Sequence, residues 1–398
     1  MSDVDYPLDR DLAVPEIDFG TDPLHEIHSL MAVLREQGRF FPVRCRSETA
    51  LLVTRFDDVR AGFDDEEAVP LFASARKFAE KAQGRSLFSM TGEGHRVHRA
   101  LVSAAFSSGA IDRYELALMV PEVARVLDKI AAHTGTVDLV HEFTEIFPIS
   151  VIVRILGMPP EDDRKFKQWA EELVSYDWQP EIAMKASREF EDYLLPVIEE
   201  RRRAPGEDVI SRLATATVEG KRLGDIDIVS FLRILFPAGA DTTFRALGNL
   251  ILTVLQDPDL RARLTADPRL IADAVDEILR WEPPIGVYPR FVPNDVVWRG
   301  VFIPADTRLL LGVASANRDP RAFDDPDRFY VARHAKRITS FGGGIHYCIG
   351  ALLAKREMAT GLQALLARFP NLRLAGGVAP RIAGPVLRGP EALPVVLD

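Results

Sequence analysis

One segment constrains the fold more than any other, an apolar stretch that runs from Ile226 to about Gln256. Asp225 is a suitable N-cap before it, and Asp257 with Pro258 provides a stop signal after it. A helix of that length spans ~45 Å. Because apolar residues cover most of its faces, we expect it to cross the middle of a mainly helical fold.

This predicted helix contains Pro237, Ala238 and Gly239 in its interior. Proline lacks a backbone N–H and glycine is conformationally free, so the combination favours a local break. One interpretation is a tolerated kink, and the other is a widened turn beside a bound group. The residues that follow, Asp241 and Thr242, favour the second interpretation.

Composition and patterning indicate one continuous domain over residues 1–398. Of the 398 residues, 47% are hydrophobic, which is enough for a large core, and no repeat or linker interrupts the chain. Strand signals are few: a hairpin formed by 41–43 and 50–54, a second formed by 296–303 and 308–313, and irregular short strands within 378–396. The predicted fold class is therefore mainly α with a minor β-rich region.

Charge and cysteine content exclude several classes of protein. A formal net charge of -10 argues against nucleic-acid binding. Residues 1–19 lack an apolar run with basic flanks, and no segment is apolar enough to span a bilayer, so we expect neither signal peptide nor membrane anchor. The two cysteines, Cys45 and Cys348, form no disulfide framework and are typical of a cytoplasmic protein. We interpret the acidic run at 63–67 as a solvated loop, since no second metal-binding cluster accompanies it.

Residues 341–350 read Phe-Gly-Gly-Gly-Ile-His-Tyr-Cys-Ile-Gly. The glycines permit positive φ and a close approach of backbone to a flat ligand. A helix is predicted from Ala351 to Phe369, before Pro370, so Cys348 lies at a helix N-terminus, where the dipole favours a thiolate. A lone cysteine is more often a small buried apolar residue, and one cysteine with one histidine is too few ligands for zinc. Six fixed positions in Phe-Gly-x-Gly-x-His-x-Cys-x-Gly favour a specific site.

This pattern resembles the haem-binding loop of the cytochrome P450 monooxygenases, and the resemblance extends over nearly the whole chain. It implies that the Cys348 thiolate is the axial ligand to the iron of haem b, pushing electron density to favour O–O cleavage. Phe341 would pack near the thiolate, and Gly342 and Gly350 would shape the loop under the haem. The haem would lie between the long helix and this loop, without covalent attachment, since no Cys-x-x-Cys-His is present.

The segment Ala238-Gly239-Ala240-Asp241-Thr242-Thr243 matches the oxygen-activation segment of that family. The resemblance implies that Thr242 hydrogen-bonds the bound oxygen or a water beside it, and that Asp241 relays protons to that network. The alternative for Thr242 is a hydrogen bond to a carbonyl of its own helix.

Glu277 and Arg280 match the family's Glu-x-x-Arg, and their spacing places both on one helix face. Such a pair is ordinarily a solvated ion pair of little energetic value. The resemblance instead implies a buried structural network that includes Arg328, in which loss of one member would leave an uncompensated buried charge.

Four residues stand at the family's haem-propionate positions. Two carboxylates at the edge of a mostly apolar cofactor need cationic donors. Taken singly, each of the four would be an ordinary surface charge. They are His95, Arg99, Arg290 and His346.

The resemblance also implies the substrate pocket. Its predicted lining is mostly apolar, which favours an apolar or amphipathic ligand, and the missing side chain of Gly286 allows extra room. The lining residues are Pro237, Ala238, Ile285, Gly286, Val287, Val386 and Leu387.

The reaction that the resemblance implies inserts one atom of O2 into a small organic substrate, most simply as a hydroxylation, and reduces the other atom to water. Electrons would come from a ferredoxin or flavodoxin with its NAD(P)H-dependent reductase, docking at Arg96, Arg99, Lys355 and Arg356. A peroxide-driven peroxygenase and a non-catalytic haem sensor or carrier are the alternatives. The intact acid–alcohol pair favours the oxygen-driven enzyme.

Overall fold

The computed structural model describes residues 17–159, 163–218, 220–335, 337–377 and 379–397. The α-helices are α1 (Ile27–Gln37), α2 (Phe56–Asp64), α3 (Leu71–Ser74), α4 (Glu80–Gln83), α5 (Gly92–Ser103), α6 (Ser108–Tyr114), α7 (Val120–Ala131), α8 (Ile146–Leu156), α9 (Asp163–Val174), α10 (Pro180–Arg203), α11 (Val209–Thr215), α12 (Asp225–Gln256), α13 (Pro258–Ala266), α14 (Leu270–Trp281), α15 (Val313–Ala316) and α16 (Ala351–Arg368). The predicted mainly helical fold class is therefore confirmed.

The strands are short, and most of them lie before α2 or after α14. They are β1 (Phe40–Cys45), β2 (Glu48–Val53), β3 (Thr136–Asp138), β4 (Thr217–Val218), β5 (Lys221–Arg222), β6 (Tyr288–Val292), β7 (Val296–Trp298), β8 (Val301–Ile303), β9 (Thr307–Leu311), β10 (Arg373–Leu374), β11 (Ile382–Ala383), β12 (Gly389–Pro390) and β13 (Pro394–Val396).

The chain forms two compact units, each assembled from separate segments. The first consists of the described residues of 1–74, 273–348 and 381–391, and the second of those of 75–272, 349–380 and 392–398. The assignment of residues 1–398 to a single domain stays a prediction.

The first unit is built on a four-stranded sheet with the order β1-β2-β9-β6. Strand β2 is antiparallel to β1 and parallel to β9. Successive side chains of β2 enter two different apolar clusters: Leu51 and Val53 belong to one, and Ala50 and Leu52 to the other. Both faces of the sheet are therefore buried, as the alternation of side chains across a strand requires.

The first predicted hairpin is confirmed, and the second is wrong. Strands β7 and β8 pair with each other around Arg299 and Gly300, whose φ angles are 55° and 82°. Two successive positive φ values suit a tight two-residue hairpin, which closes within the stretch that was predicted as a single strand. Strand β9 instead joins the four-stranded sheet, between β2 and β6.

The second unit is organised around α12, which packs on α8, α9 and α16. Its N-cap is Gly224 rather than Asp225, and the Gly224 N–H donates to Oδ2 of Asp227 at 3.3 Å. The predicted break is not seen, because α12 continues as α-helix through 237–239. A Cβ atom at Gly239 would lie 2.9 Å from Cγ1 of Ile152 in α8. This glycine therefore permits close helix packing rather than a widened turn.

Helix α16 was predicted to within one residue, with Gly350 as its N-cap. Gly361 brings it onto α12, since a Cβ there would lie 3.3 Å from Leu247 Cδ2. A small sheet with the order β10-β13-β3 belongs to the same unit. Among the described residues, no helix is both long and apolar enough to cross a bilayer.

Candidate active site

The loop at residues 341–348 belongs to the first unit, and its glycines determine its path. Gly342 and Gly344 have φ angles of 68° and 58°, which side-chain-bearing residues rarely adopt. The Cys348 N–H donates to the Phe341 carbonyl at 3.0 Å and closes the loop. Cys348 is exposed, whereas Cys45 is buried. The loop therefore presents the cysteine that the sequence singled out.

The C-terminal end of α2 packs against the glycines of this loop. A Cβ at Gly343 would lie 2.4 Å from Oδ1 of Asp64, and a Cβ at Gly344 would lie 3.0 Å from the Phe63 carbonyl oxygen. Larger residues at either position would push the loop away from α2. The glycines are therefore required by the packing beneath the loop as well as by its φ angles.

The acidic run at 63–67 is solvated only in part, which corrects the expectation from the sequence: Asp64 and Glu67 are exposed, but the other three residues are engaged. Phe63 is 4% exposed, and Asp65 accepts a hydrogen bond from Trp298 Nε1 at 3.1 Å. Glu66 Oε2 lies 3.6 Å from Nε2 of His346 in the Cys348 loop. Burial raises the pKa of Glu66, but His346, the Leu71 N–H and Arg290 together hold it below its ordinary value.

Arg290 is a buried cation in the same unit. It is 2% exposed, and its guanidinium lies 4.8 Å from the ring centre of Tyr288 and 5.4 Å from that of Phe63. Its Nε and Nη1 atoms have no hydrogen-bond partner among the described residues. A buried guanidinium with unused donors is costly, so an anionic group is expected to complete this site.

Glu277 and Arg280 form the buried pair that the sequence predicted. Glu277 is 2% exposed and Arg280 is 0% exposed, and two hydrogen bonds of 2.7 and 2.9 Å join them side by side. Arg280 also donates to the carbonyls of Asn317 and Pro326 at 2.9 and 2.8 Å. The pair therefore fixes the chain that leads toward the Cys348 loop.

The third guanidinium of this network is that of Arg333, not that of Arg328. Arg333 Nε donates to Glu277 Oε1 at 3.0 Å. Arg328 contributes its main-chain carbonyl, which accepts from Arg280 at 3.2 Å, while its exposed side chain lies over the ring of Tyr330. The short helical turn Val331–Arg333 directs the later arginine inward, which the spacing of the motif did not reveal.

In the second unit, α12 is buried on all sides except along one stripe. Between residues 228 and 254, all of which the structure describes, only Ala238, Gly239, Thr242 and Arg245 are not buried. Ala238, Thr242 and Arg245 follow the spacing of one helix face. The segment that resembles the oxygen-activation motif thus supplies the accessible face of an otherwise buried helix.

The Thr242 hydroxyl donates to the Ala238 carbonyl at 2.9 Å. This is the alternative that the sequence left open for Thr242, a bond within its own helix. The bond holds the hydroxyl oxygen beside the accessible stripe, where both of its lone pairs stay available to accept hydrogen bonds.

Asp241 is 3% exposed and pairs with Arg245, whose Nε lies 3.0 Å from Oδ1. Burial raises the pKa of Asp241 above its ordinary value, and the charge and hydrogen bond of Arg245 only partly oppose that shift. Arg245 was not among the site residues predicted from the sequence, although its spacing of four residues from Asp241 was a usable signal.

His95 and Arg99 both lie on α5, one helical turn apart. His95 is 3% exposed and Arg99 is half-buried. His98, which the motif spacing excludes, has its Nδ1 2.8 Å from the Gly94 carbonyl and stacks on Phe231 of α12. The structure therefore gives His98 a packing role distinct from the two predicted haem partners.

The predicted pocket residues of the first unit fall into two groups. Val287 is 0% exposed and lies in an apolar cluster, against which Val386 packs. Ile285 and Leu387 pair in an isolated β-bridge and are only half-buried. A Cβ at Gly286 would lie 2.4 Å from the Pro385 carbonyl oxygen, so this glycine serves a close backbone contact and does not enlarge a pocket.

The other two predicted pocket residues lie in α12, in the second unit. Pro237 is buried and Ala238 is exposed. Ala238 shares the accessible stripe with Thr242, whereas Pro237 faces the interior of its unit. Of this pair, the structure therefore favours Ala238 as a residue that a ligand can reach.

Carboxylates engage Arg96 and Arg356, which are among the predicted docking cations. Arg96 donates to Glu93 at 2.8 Å on the surface. Arg356 binds Glu115 and lies 3.2 Å from Asp112. Their net positive charge is therefore smaller than the sequence suggested.

Comparison with known proteins adds independent information. The family model described as cytochrome P450 matches residues 18–382. The chain is 32% identical over 382 residues to the vitamin D(3) 25-hydroxylase of Pseudonocardia autotrophica, with 93% of each chain covered. It is 32% identical over 411 residues to the 6-deoxyerythronolide B hydroxylase of Saccharopolyspora erythraea, covering 97% of this chain and 99% of that protein. A solved structure of the myxobacterial cytochrome P450 CYP267B1 in complex with myristic acid matches with a TM-score of 0.86 at 30% identity, covering 94% and 97% of the two chains.

Proposed function

Because this chain belongs to the cytochrome P450 family, we propose that Cys348 is the thiolate ligand of its haem iron and that Asp241 and Thr242 deliver protons. The family consists of haem-thiolate monooxygenases with haem b as cofactor. This chain is such an enzyme: it inserts one oxygen atom from O2 into a small organic substrate of apolar or amphipathic character. Its electrons come from a ferredoxin or flavodoxin and an NAD(P)H-dependent reductase.

The single observation that carries the site assignment is Arg290. It is a buried guanidinium with two nitrogen atoms that no described residue hydrogen-bonds, in the same unit as His346 and the Cys348 loop. A haem propionate offers the carboxylate that such a cation requires. When bound, the haem supplies an iron at which O2 is activated, with the thiolate favouring O–O cleavage.

The remaining propionate donors would be His346, His95 and Arg99. His346 already faces the Glu66 carboxylate at 3.6 Å, so its ring is oriented by an anion on one side. His95 and Arg99 present their side chains from one face of α5. Gly342 and Gly350 would serve the loop as backbone elements, and Phe341 would pack near the thiolate.

Asp241 and Thr242 are suited to proton delivery. Thr242 lies on the accessible stripe of α12, and Asp241 is buried one position before it. Because burial raises the pKa of Asp241, its carboxyl holds a proton at a higher pH than an ordinary aspartate. A group with its pKa nearer the working pH is a better proton donor.

We infer that the protein is located in the cytoplasm and that its oxygen insertion is a hydroxylation. The two cysteines offer no disulfide framework, which supports a reducing compartment. Two of the relatives described above are hydroxylases by name. Ile285, Val386, Leu387 and Ala238 are the proposed side-chain-bearing pocket residues that retain exposure, and all four are apolar.

The test is the absorption spectrum of the reduced carbon monoxide complex, with wild type measured beside Cys348→His. We expect the strongly red-shifted Soret band of thiolate ligation in wild type and its loss in the variant. Cys45→Ser, which changes the buried cysteine, serves as the matched control and should keep the wild-type band. A wild-type band at the position of imidazole ligation would contradict the assignment of Cys348.

The docking surface has its own test. Lys355→Glu and Arg96→Glu should slow reduction by the electron-transfer partner and weaken its dependence on ionic strength. Arg203→Glu, an exposed change on α10, is the control. If charge reversal at Lys355 leaves the reduction rate and its salt dependence unchanged, the partner docks elsewhere.

A further inference from the structure

The first unit contains a second buried charge network, centred on Glu282, that neither the family motif nor the sequence analysis assigned. Glu282 follows α14 directly and is 4% exposed. Its carboxylate is 2.9 Å from His28 Nε2, 2.5 Å from Arg388 Nε and 4.0 Å from Arg318 Nη2. One carboxylate therefore joins α1, the end of α14 and the segment before β12.

Arg388 extends this network into the backbone. It is 1% exposed, and besides Glu282 it donates to the carbonyls of Leu24 and His25 at 2.9 and 3.1 Å. It also donates to the carbonyl of Gly384 at 3.4 Å. A guanidinium whose donors are shared among a carboxylate and three carbonyls fixes the relative position of those segments.

The segments that Arg388 fixes are those that carry two proposed pocket residues. The Arg388 N–H donates to the Pro284 carbonyl at 2.8 Å, and the Val287 N–H donates to the Pro385 carbonyl at 2.8 Å. Ile285 and Leu387 pair in the bridge between these hydrogen bonds. Glu282 lies two residues before the first of these paired segments, 284–287. Arg388 is the last residue of the second segment, 384–388.

We propose that Glu282 and Arg388 are positioning residues for substrate binding: they lock the 284–287 and 384–388 segments together and so set where Ile285 and Leu387 stand in the pocket. This inference rests on the proposed function, since it takes those two residues as pocket residues. The Glu277 network has a different task, because its hydrogen bonds go to the carbonyls of Asn317 and Pro326.

The experiment compares two ligands of the haem iron that differ in their reach. Imidazole is small, whereas 4-phenylimidazole carries a ring that contacts the pocket wall. Both are titrated into the holoenzyme and followed by the shift of the Soret band. For Arg388→Lys, which keeps the charge but cannot donate to all four acceptors, we expect the Kd of 4-phenylimidazole to rise about tenfold and that of imidazole less than twofold.

Two further variants keep the test decisive if one fails to fold. Glu282→Gln keeps the shape of the side chain and should behave like Arg388→Lys. His28→Gln removes only the partner at 2.9 Å and should raise the Kd of 4-phenylimidazole about threefold. Arg35→Lys is the matched control, since Arg35 is a 4% exposed arginine that donates to the carbonyl and hydroxyl of Ser315 at 2.9 and 3.2 Å rather than to either segment. It should leave the Kd of both ligands unchanged.

The outcomes separate this proposal from the one it rests on. Equal affinity of wild type and all three network variants for 4-phenylimidazole overturns the positioning role while leaving the haem site intact. Equal weakening of both ligands, or loss of haem from all three variants, also overturns it, because the network would then support the fold in general. Absence of a red-shifted carbon monoxide band in wild type would overturn the proposed haem site itself, and this inference with it.

Discussion

Asp241 and Glu282 are both buried carboxyls, in different units of the chain, and their pKa values move in opposite directions. Their exposed fractions are 3% and 4%, so both lose their hydration. Burial raises the pKa of Asp241, and Arg245, with a smaller contribution from Lys167, offsets that shift only in part. Burial also raises the pKa of Glu282, but His28, Arg388 and Arg318 together lower it to about 2. The two sites differ in how many arginines and hydrogen-bond partners surround the carboxyl, not in how deeply it is buried.

This difference separates two uses of a buried acid. Glu282 stays an anion over the whole physiological range and is suited to holding segments in place. Asp241 can exchange a proton and is suited to chemistry. Glu357 is a third buried carboxyl, and no cation in the described part of the chain offsets the effect of its burial. It is 1% exposed, and its Oε1 has no hydrogen-bond partner among the described residues. Burial therefore raises its pKa well above the ordinary value.

The largest effect is expected where a buried carboxylate that pairs with two arginines is removed. Glu277→Ala leaves the buried Arg280 and the partly buried Arg333 without their shared anion, and an uncompensated buried charge costs ~3–5 kcal/mol. We expect the variant to incorporate no haem. The ratio of haem to protein and the free energy of unfolding, measured in urea, check this expectation.

Arg328→Ala is the control for Glu277→Ala. Only the main-chain carbonyl of Arg328 enters the network, and its side chain is exposed. Its unfolding free energy should stay within ~0.5 kcal/mol of wild type. A stable holoprotein from Glu277→Ala, or a loss of haem from Arg328→Ala, would contradict the assignment of Arg333 as the third guanidinium.

Glu282 should make stability depend on acid pH. Its pKa is lowered from 4.5 to about 2, so its contribution to stability is fully present above about pH 4.5 and is lost as the pH falls toward 2. A shift of that size corresponds to ~3 kcal/mol. Glu282→Gln should therefore be less stable than wild type at pH 7, and the difference should shrink on acidification. Stability curves that stay parallel from pH 7 to pH 3 would refute this linkage.

Asp241→Asn should reduce turnover strongly but stability only slightly, unlike the substitution of Glu282. The amide removes the cost of a buried charge, and Arg245 stays partly solvated because its side chain is 24% exposed, so the unfolding free energy should not fall by more than ~1 kcal/mol. Loss of the proton donor should reduce kcat by about 100-fold. Turnover with the electron-transfer partners and urea unfolding of the same preparation measure the two effects. If the variant is unstable but turns over normally, Asp241 stabilises the fold, as Glu282 does, and does not donate protons in the reaction.

Features encoded within a short stretch of chain were predictable. The apolar run of α12, the helix α16 after the Cys348 loop, and the i, i+3 pair of Glu277 and Arg280 each depend on neighbours in sequence. The second hairpin was predicted wrongly because the turn at Arg299 and Gly300 resembles a continuing strand until its positive φ angles are known.

Features that join distant segments were not predictable. His28, Glu282 and Arg388 meet from three parts of the chain, and no spacing in the sequence connects them. The choice of Arg333 over Arg328 depends on which of two nearby arginines a helical turn directs inward. The role of Gly286 in admitting the Pro385 carbonyl likewise requires knowledge of the partner segment.

The smallest expected effect tests how burial and Arg245 together set the pKa of Asp241. Arg245 lowers the pKa of Asp241 by its charge and hydrogen bond, so Arg245→Met should raise that pKa further. A proton donor loses activity as the pH rises through its pKa; the descending limb of the kcat profile should therefore move to higher pH. The shift should be modest, because the Arg245 side chain is 24% exposed and solvent screens its charge. Arg245→Lys keeps the cation and should leave the limb near its wild-type position. A limb that moves to lower pH in Arg245→Met would mean that the titrating group is not Asp241, and its opposite pKa shift from that of Glu282 would then have no bearing on catalysis.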